Sequence, residues 1–366
     1  MSAEFEVRLG TRADEPDIRA LVGRVAMPGD VAIRFEREPD YFLGTTIMGD
    51  PCDVVVARRR GDGALAGIAC RGEQGAYVGG EPTRVGYVGQ IRVAPWARGH
   101  GLVMRGARLL RERTPPGTLS FGVIARENPR AARALAGPRL PAGLRVARVG
   151  GLTTCAVVLR PGRRPARGGI DIRPADATTV VDALDFWRTH GPRRQFFPLT
   201  TLADLEGGAA LRGLRSEDVF LAWRGGRVVG TMALWEQSAF KQDVVEAYGP
   251  TLRRLRPLYD VAARLLGARP LTPPGEPIAL AFAARVCVAD DDPGVMRVLL
   301  RAVTAEAHVR GLAYLMVGLA DDDPLLPVVR RHPHITYRSD LFALAWTDDP
   351  LARLDDRVPY VEIATL

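Results

Sequence analysis

The chain has 366 residues, about twice the usual length of one domain, so the expected organisation is two domains that each bury a core. Hydrophobic residues make up 47% and charged residues 25%, a composition that excludes a disordered or collagen-like chain. The net charge is +8, but Lys241 is the only lysine among the 50 basic residues and the arginines are scattered. The codon usage of a GC-rich genome therefore explains the charge better than a nucleic-acid-binding surface does.

The cysteines and the N-terminus indicate the cellular compartment. The four cysteines have no metal-ligand spacing, and two of them, Cys70 and Cys287, lie in apolar runs, so we expect buried, reduced thiols and no metal site. The first residues are acidic where a signal peptide needs basic and then apolar ones, and no apolar run reaches the ~18 residues of a membrane helix. These features predict a cytoplasmic protein without a membrane partner.

The first half predicts a strand, a helix and then an antiparallel meander. Residues 5–9 are typical of a short strand, and a helix follows whose apolar stripe consists of Ile18, Leu21, Val22 and Val25. In chain order, the remaining segments predict strands at 53–60, 65–71 and 85–93, a helix at 102–112, a strand at 119–125, a helix at 129–136 and a strand at 153–159.

The second half repeats this order after a segment rich in proline, glycine and arginine. Residues 161–169 are predicted to be a linker, since a nucleic-acid-binding arm would interleave aromatic residues. The pattern then predicts a strand at 170–173, a helix with the stripe Val180, Val181, Leu184 and Trp187, strands at 219–223, 228–236 and 281–288, a helix at 294–310, and strands at 314–319, 341–346 and 360–363. A partly helical insertion spans about 250–277. We predict an α+β fold of two tandem domains, 1–160 and 170–366, each a mixed, mainly antiparallel sheet flanked by helices.

The segment at 91–103 carries the chemistry. A strand ends there, a proline blocks its continuation, and a loop with two glycines leads directly into a helix. Unpaired N–H groups and the positive end of the dipole at a helix N-terminus favour phosphate, and glycine lets the backbone approach an anion. Ordinary turn chemistry before a helix is the alternative. The residues that form this predicted pyrophosphate site are Val93, Pro95, Arg98, Gly99, His100 and Gly101.

These residues resemble the signature of the GCN5-related N-acetyltransferase (GNAT) family, which reads Val-x-Pro-x-x-Arg-Gly-x-Gly at the end of the fourth strand. The family's six-residue core, Arg/Gln-x-x-Gly-x-Gly/Ala, maps onto Arg98 to Val103, with Val103 in place of the final small residue. A second family feature, Glu-Asn-x-x-Ala after the fifth strand, matches Glu127, Asn128 and Ala131. The resemblance implies a tandem member of the family whose second domain is degenerate.

The resemblance also implies a co-substrate and a reaction. The co-substrate would be acetyl-CoA or another acyl-CoA, and a primary amine of a small molecule or peptide would attack the thioester directly, with most of the catalysis from positioning. The implied cofactor-binding residues are Arg98, Gly99, His100, Gly101, Leu102 and Val103 for the diphosphate, Ile91, Arg92 and Val93 for the pantetheine, and Asn128 near the pantetheine or thiol.

The groups that transfer protons are less well defined by the sequence. Family members often place a tyrosine seven residues after the asparagine, where this chain has Leu135. Tyr87 and Gln90 on the fourth strand are the candidate catalytic residues, with Glu73 and Tyr77 nearby, and a purely packing role for Tyr87 is the favoured alternative. A non-catalytic acyl-CoA-binding sensor or scaffold is therefore the alternative function.

The second half lacks the phosphate site. Three carboxylates, Asp290, Asp291 and Asp292, stand where a diphosphate needs donors, so we do not expect this half to bind acyl-CoA. For this run and for a second one at 321–323 we favour helix capping over binding of a divalent metal or a cationic amine. The half is expected to complete the substrate pocket or to pack as a pseudo-dimer partner. Its aromatic residues should be mostly core, with Trp235 to Phe240 as candidates for lining a substrate cleft. The whole protein is expected to be either a monomer or a homodimer.

Overall fold

The computed structural model describes residues 4–24, 30–136, 140–162, 169–347 and 349–366, so the predicted linker lies mostly outside the described residues. The helices are α1 (Glu15–Arg24), α2 (Tyr41–Thr45), α3 (Leu102–Arg113), α4 (Pro129–Ala136), α5 (Val180–His190), α6 (Leu202–Leu205), α7 (Pro250–Leu265), α8 (Pro293–Val309) and α9 (Leu326–Val329). The strands are β1 (Phe5–Leu9), β2 (Val31–Glu36), β3 (Cys52–Arg59), β4 (Leu65–Val78), β5 (Glu81–Val93), β6 (Leu119–Ala125), β7 (Arg145–Val158), β8 (Asp171–Pro174), β9 (Val219–Arg224), β10 (Arg227–Trp235), β11 (Gln242–Tyr248), β12 (Leu280–Val288), β13 (Tyr314–Ala320) and β14 (His334–Ala345).

Twelve of these strands form one mixed sheet in the order β1-β3-β4-β5-β6-β14-β7-β13-β12-β10-β9-β8. Its pairs are antiparallel except β5–β6 and β12–β13, which are joined through α3 and α8 in turn. The α+β class and the two strand-helix-strand crossovers are therefore confirmed. Because the strands of both halves join, the two predicted sheets are parts of one continuous sheet.

The last strand of each half lies within the part of the sheet that the other half builds. β14 pairs with β6, with Ser339 opposite Ala125, and β7 pairs with β13, with Val158 opposite Tyr314. β7 and β14 also pair with each other along their whole shared length, from His334 to Ala345. The two halves thus exchange their final strands at the centre of the sheet.

A separate two-stranded ribbon, β2 and β11, connects the halves a second time. The strands are antiparallel, with Phe35 directly opposite Asp243, and Ile33 and Val245 on the same face are buried. The sequence patterns predict neither strand, because each has charged residues next to apolar ones and their partners lie about 210 residues apart in the chain.

The apolar residues of each half form their own core. Ile18 of α1 packs against the sheet of the first half, and Val295, Leu299 and Val303 of α8 pack against that of the second. Val181 was predicted to join the apolar stripe of α5 but is 44% exposed, because it lies about 100° around the helix from Val180 and its companions. Val25 of the first predicted stripe is outside the described residues.

The predicted strand at 360–363 is wrong. This segment ends in a 3₁₀ turn, Ile363–Thr365, and its side chains are buried against the sheet surface instead of pairing at a strand edge. The four cysteines are unpaired, as predicted, and Cys52 is the one that is only half-buried. Among the described residues, no helix combines the length and the apolar character needed to span a bilayer.

Candidate functional site

β5 and β6 run in parallel over only three residue pairs and then separate. The last pair joins Tyr87 to Phe121, after which β5 pairs only with β4, up to Val93. Gln90 has a φ of 53°, and the register between β4 and β5 shifts around it, so a bulge turns the end of β5 away from β6. The space between the two diverging strands is called the first wedge below.

The end of β5 beyond this bulge keeps polar groups accessible. Ile91 is 43% exposed, and no side chain of the described residues accepts a hydrogen bond from the backbone N–H of Gln90 or Ile91. The amide oxygen Oε1 of Gln90 is buried without a hydrogen-bond partner. Arg92 lies with its guanidinium 5.7 Å from the centroid of the Phe35 ring, and burial lowers the pKa of Arg92. On the side away from β4, the predicted pantetheine strand therefore has no strand partner, and one unpaired polar atom, Oε1 of Gln90, lies beside it.

The loop after β5 leaves the first turn of α3 open. Gly99 and Gly101 have φ values of 89° and 68°, in the region that favours glycine, and a Cβ added to either would meet no atom within 4 Å. Gly101 is the N-cap of α3, and no side chain caps the helix. The N–H groups of the first turn therefore face open space, which is the geometry of an anion site.

The side chains of the same loop lie at the surface. Arg98 and His100 are exposed, and the His100 ring lies 5.0 Å from the ring of Phe5. In the first turn of α3, the side chain of Leu102 is buried and that of Val103 is exposed. Arg105 of the same helix donates to the carbonyl oxygen of Phe5 at 2.8 Å, which fixes the start of α3 against β1. The structure thus brings the predicted diphosphate residues together on one accessible loop.

Asn128 stands at the start of α4. Its Oδ1 accepts from the backbone N–H of Ala131 at 3.2 Å, and its own N–H donates to Ala125 at 2.9 Å. These bonds explain physically why an asparagine precedes this helix, since its side chain satisfies an otherwise unpaired donor. A contact with pantetheine stays a prediction.

The candidate catalytic residues lie at the vertex of the first wedge. The Tyr87 ring is 5.3 Å from the Phe121 ring, so it does pack as the alternative interpretation expected. Its hydroxyl nevertheless lies over the bulge, 2.4 Å from the position that a Cβ on Gly89 would occupy. Burial raises the pKa of Tyr87, so the phenol stays neutral near pH 7 and is a proton donor. Its role in catalysis, like that of Gln90, stays a prediction.

The other two nearby candidates are separated from this point. Glu73 accepts from Arg71 at 2.7 Å and lies 3.4 Å from Arg84, and it is opposite Gly86, so it occupies the other face of the sheet from Tyr87. Tyr77 packs into the core of the second half. The structure does not bring either residue to the first wedge.

The second half repeats the wedge. β12 and β13 separate after Phe282 pairs with Met316, and Arg285 has a φ of 51° where the register between β10 and β12 shifts. Phe282 and Arg285 each stand 195 residues after their counterparts, Tyr87 and Gln90. We call this space the second wedge.

The C-terminal residues fill the second wedge. Glu362 accepts from the backbone N–H of Arg285 and from its guanidinium, both at 2.9 Å, and the hydroxyl of Tyr360 accepts from the N–H of Val286 at 3.2 Å. Ile363 lies against Gly318 of β13, where a Cβ would come within 2.3 Å of it. A carboxylate thus binds the bulge N–H of the second wedge, whereas no side chain of the described residues binds that of the first.

The acidic runs of the second half have structural partners. Asp292 caps α8 by accepting from Gly294 and Val295 at 2.7 and 3.3 Å, and its hydrogen bond with Arg224 lowers its pKa, so the predicted capping is confirmed there. Asp290 and Asp291 do not cap but form ion pairs with Arg193 and Arg194. In the second run, Asp321 pairs with Arg126 and Asp323 accepts from Leu325. Within the described ranges, no group of three or more His, Cys, Asp or Glu residues is placed to hold a metal ion.

A buried charged cluster beside the first wedge escapes sequence reasoning. Arg37, Lys241 and Asp243 lie where the β2–β11 ribbon meets the start of β12, together with the buried amide of Gln237. The available signal was the polar run from Gln237 to Asp243, which contains the only lysine of the chain and follows a buried strand. Trp235 and Phe240, the predicted cleft aromatics, are core residues, the first just before this run and the second within it.

Comparison with known proteins finds no matching family model and no matching curated protein. Solved structures do match. A region of a fungal multi-domain GH3 β-N-acetylglucosaminidase, described as a GCN5-related glucosamine N-acetyltransferase, aligns over 94% of this chain with a TM-score of 0.62 and 16% identity, and the chain spans 38% of that protein. Saccharomyces cerevisiae N-myristoyltransferase with bound myristoyl-CoA aligns over 94% of this chain and 83% of its own, with a TM-score of 0.60 and 10% identity.

A GCN5-related N-acetyltransferase from Sphaerobacter thermophilus aligns over 100% of both chains, with a TM-score of 0.55 and 15% identity. At these identities the likeness concerns the fold and not the substrate. Together with the diverging strands, the bulge and the glycine loop in front of α3, it leads to one conclusion: the chain has the fold of the GCN5-related N-acetyltransferases, in a tandem arrangement of two related halves.

Proposed function

We propose that this protein is an N-acyltransferase that takes its acyl group from acetyl-CoA bound in the first wedge. The observation that carries the proposal is that, among the described residues, no side chain accepts from the bulge N–H of the first wedge and none caps its helix α3. In the second half, Glu362 and Asp292 occupy the equivalent places. The matched proteins support the co-substrate class, since two of them are described as N-acetyltransferases and a third is an N-myristoyltransferase with bound myristoyl-CoA.

In this proposal each part of the first wedge has one task. The N–H groups of the first turn of α3, with Arg98, bind the diphosphate, and the edge at Ile91 to Val93 pairs with the amides of pantetheine. The N–H groups at the bulge polarise the thioester carbonyl, whose oxygen gains charge as the amine attacks. The C–N bond forms as the C–S bond breaks, and the neutral hydroxyl of Tyr87 donates its proton to the departing thiolate. The amine nitrogen then loses one proton, which returns through water to the Tyr87 oxygen, so that the products are the amide and free CoA thiol.

The largest expected effect is on binding of the co-substrate. The double substitution Arg98→Glu with Gly101→Asp places two negative charges in front of α3, so acetyl-CoA affinity should fall at least a hundredfold, measured by isothermal titration calorimetry. Wild-type protein should bind one acetyl-CoA per chain. Unchanged affinity in the double variant would refute the assigned site.

The chain offers a matched control for this variant. Gly226 also has a positive φ, 78°, with no atom within 4 Å of an added Cβ, and exposed Arg227 follows it in the β9–β10 turn of the second half. Gly226→Asp with Arg227→Glu makes the same changes of charge and backbone strain, so its acetyl-CoA affinity should stay within twofold of wild type. Release of free thiol on addition of amines then separates an enzyme from the alternative, an acyl-CoA sensor, which would bind acetyl-CoA without turnover.

A further inference from the structure

One face of α7 is apolar and exposed. Five aliphatic side chains of this helix and of its C-cap are each at least 50% exposed, namely Leu255, Leu258, Val261, Leu265 and Leu266. At about 100° per residue they lie within about 140° of one another around the helix axis, so they form one stripe about 16 Å long. Single exposed apolar side chains are normal, but a contiguous stripe of them is typical of a docking surface. We call it the α7 stripe.

The opposite face of α7 is fixed to the ribbon of β2 and β11. Leu252 and Tyr259 pack against a small buried cluster to which β11 contributes. Asp260 accepts from the backbone N–H of Leu271 at 2.9 Å and pairs with Arg256 at 3.6 Å. Because these contacts hold the helix in one orientation, the α7 stripe faces away from the protein.

The charged residues on the exposed side of α7 are cations. Arg253, Arg254 and Arg264 are exposed, and within the described part of the chain none of their side chains has an ion pair or a hydrogen bond. Around the helix axis Arg254 lies within the α7 stripe, and the other two lie beside it. Asp260 is the only acidic residue of α7, and it belongs to the inner face. The exposed side of the helix therefore combines apolar and positive groups and has no negative one.

This combination fits the surface of a bilayer that contains anionic lipids. Aliphatic side chains of such a helix enter the boundary between headgroups and acyl chains, while long arginine side chains reach back to the lipid phosphates. A second copy of the chain fits less well. A twofold interface through this face would bring the two copies of Arg254 together, with no acidic residue on the exposed side of α7 to pair with them.

We propose that α7 is a membrane-docking helix, which binds this protein to the surface of bilayers rich in anionic phospholipids. The α7 stripe enters the interface, and Arg253, Arg254 and Arg264 bind lipid phosphates. A helix of this kind lies parallel to the bilayer surface, so it needs no spanning run of about 18 residues. The proposal replaces the expectation from the sequence that the protein has no membrane partner, and it does not depend on the proposed acyl transfer.

The test is flotation of the full chain with large unilamellar vesicles. Vesicles of phosphatidylcholine with about one third phosphatidylglycerol carry negative surface charge, and vesicles of phosphatidylcholine alone do not. The protein should bind the anionic vesicles at least tenfold more tightly than the neutral ones. Raising NaCl from about 0.1 to about 0.5 M should weaken that binding at least fivefold, because salt screens surface charges. Binding to neither vesicle, or equal binding to both, would overturn the proposal.

Two double variants test the apolar and the charged residues of α7 separately. Leu258→Ser with Leu265→Ser makes the α7 stripe polar, and Arg254→Gln with Arg264→Gln removes two charges. Each should weaken binding to the anionic vesicles at least tenfold. All four positions are exposed, so the temperature of thermal unfolding should change little. Binding that survives in both variants would mean that another surface contacts the lipid, and α7 would lose its assigned role.

The second half supplies matched controls for both variants. Val181→Ser with Leu202→Ser changes two exposed apolar residues outside α7, and Arg227→Gln with Arg331→Gln removes the charges of two exposed arginines. Neither control should change vesicle binding by more than twofold. Equal losses in a control and in its α7 counterpart would refute the proposal, because general surface composition would then explain the binding.

Sedimentation velocity of the protein without lipid separates a bilayer from a second copy as the partner. Wild type and the variant Leu258→Ser with Leu265→Ser should sediment alike. A wild-type dimer that this variant dissociates, together with no binding to vesicles, would assign the α7 stripe to a protein interface and overturn the proposal. Absence of acetyl-CoA binding would refute the proposed function and leave the result with vesicles unchanged, so the two proposals fail independently.

Discussion

The two wedges of this protein share one backbone plan and differ in what occupies it. In each, two parallel strands separate after three pairs and a residue with positive φ turns the first strand outward, Gln90 in one half and Arg285 in the other. Glu362 and Asp292 accept from the N–H groups at the bulge and the helix start of the second wedge, and no side chain in the described part of the chain does so in the first. The two halves thus share the shape of this site, and the carboxylates of Glu362 and Asp292 occupy it in the second half.

The largest effect on this comparison should come from Glu362. It is buried and paired with Arg285, which is also buried, so Glu362→Ala leaves an unpaired guanidinium in the core and should lower the free energy of unfolding by about 3 to 5 kcal/mol, measured by urea denaturation. Arg285→Met combined with Glu362→Leu removes both charges and should cost clearly less. Calorimetry of Glu362→Ala should still give one acetyl-CoA per chain. A second equivalent would mean that the C-terminal residues alone close the second wedge.

The next effect is a pH dependence that arises from Lys241, whose ammonium holds the C-terminal residues in place. Burial lowers its pKa from 10.5 to about 7, with Arg37, Asp243 and Glu362 as the charged groups around it. Between these two pH values the unfolded chain binds one proton more than the folded protein, so stability should rise with pH by at most about 1.4 kcal/mol per unit. Asp243, with its raised pKa, acts in the opposite sense as pH rises from acid.

Lys241→Met should flatten this rise, as measured by thermal unfolding at pH 7, 8.5 and 10. A slope that survives in the variant would mean that other groups cause it, and that the C-terminal residues do not depend on the lysine.

The smallest effect concerns the caps of the two equivalent helices. Asp292→Ala removes two hydrogen bonds at the start of α8 and should lower the free energy of unfolding by about 1 kcal/mol. His100→Ala, at the uncapped start of α3, should change it by less than about 0.5 kcal/mol. Equal losses in chemical denaturation would show that α3 has a cap after all, which would weaken the contrast between the wedges.

Much of the fold followed from local patterns. The strands of the large sheet and the longer helices were predictable because their apolar residues have clear periods, and the glycine loop was predictable because its sequence restricts the backbone. The prediction of a strand at 360–363 failed for a physical reason. The alternating pattern of this segment comes from Glu362, which is buried against Arg285 instead of facing solvent. Apolar spacing cannot distinguish a strand from a segment that fills a groove.

The parts that escaped prediction depend on contacts between distant residues. The β2–β11 ribbon brings Phe35 opposite Asp243, and the positive φ at Gln90 and Arg285 occurs at residues that are not glycine, so no local signal marks either feature. The buried cluster of Arg37, Lys241 and Asp243 likewise depends on the pairing of β2 with β11. Its polar residues were visible in the sequence, but their burial was not.

The exchange of β7 and β14 has a consequence for how the protein is made. The sheet of the first half has β14 as the neighbour of β6, and that strand, His334–Ala345, comes about 210 residues after β6 in the chain. A ribosome that has synthesised the whole first half has therefore not yet supplied the strand that covers its last edge. During translation β6 stays an open edge, which is where a nascent chain is most prone to pair with a neighbour and where a chaperone would have to act.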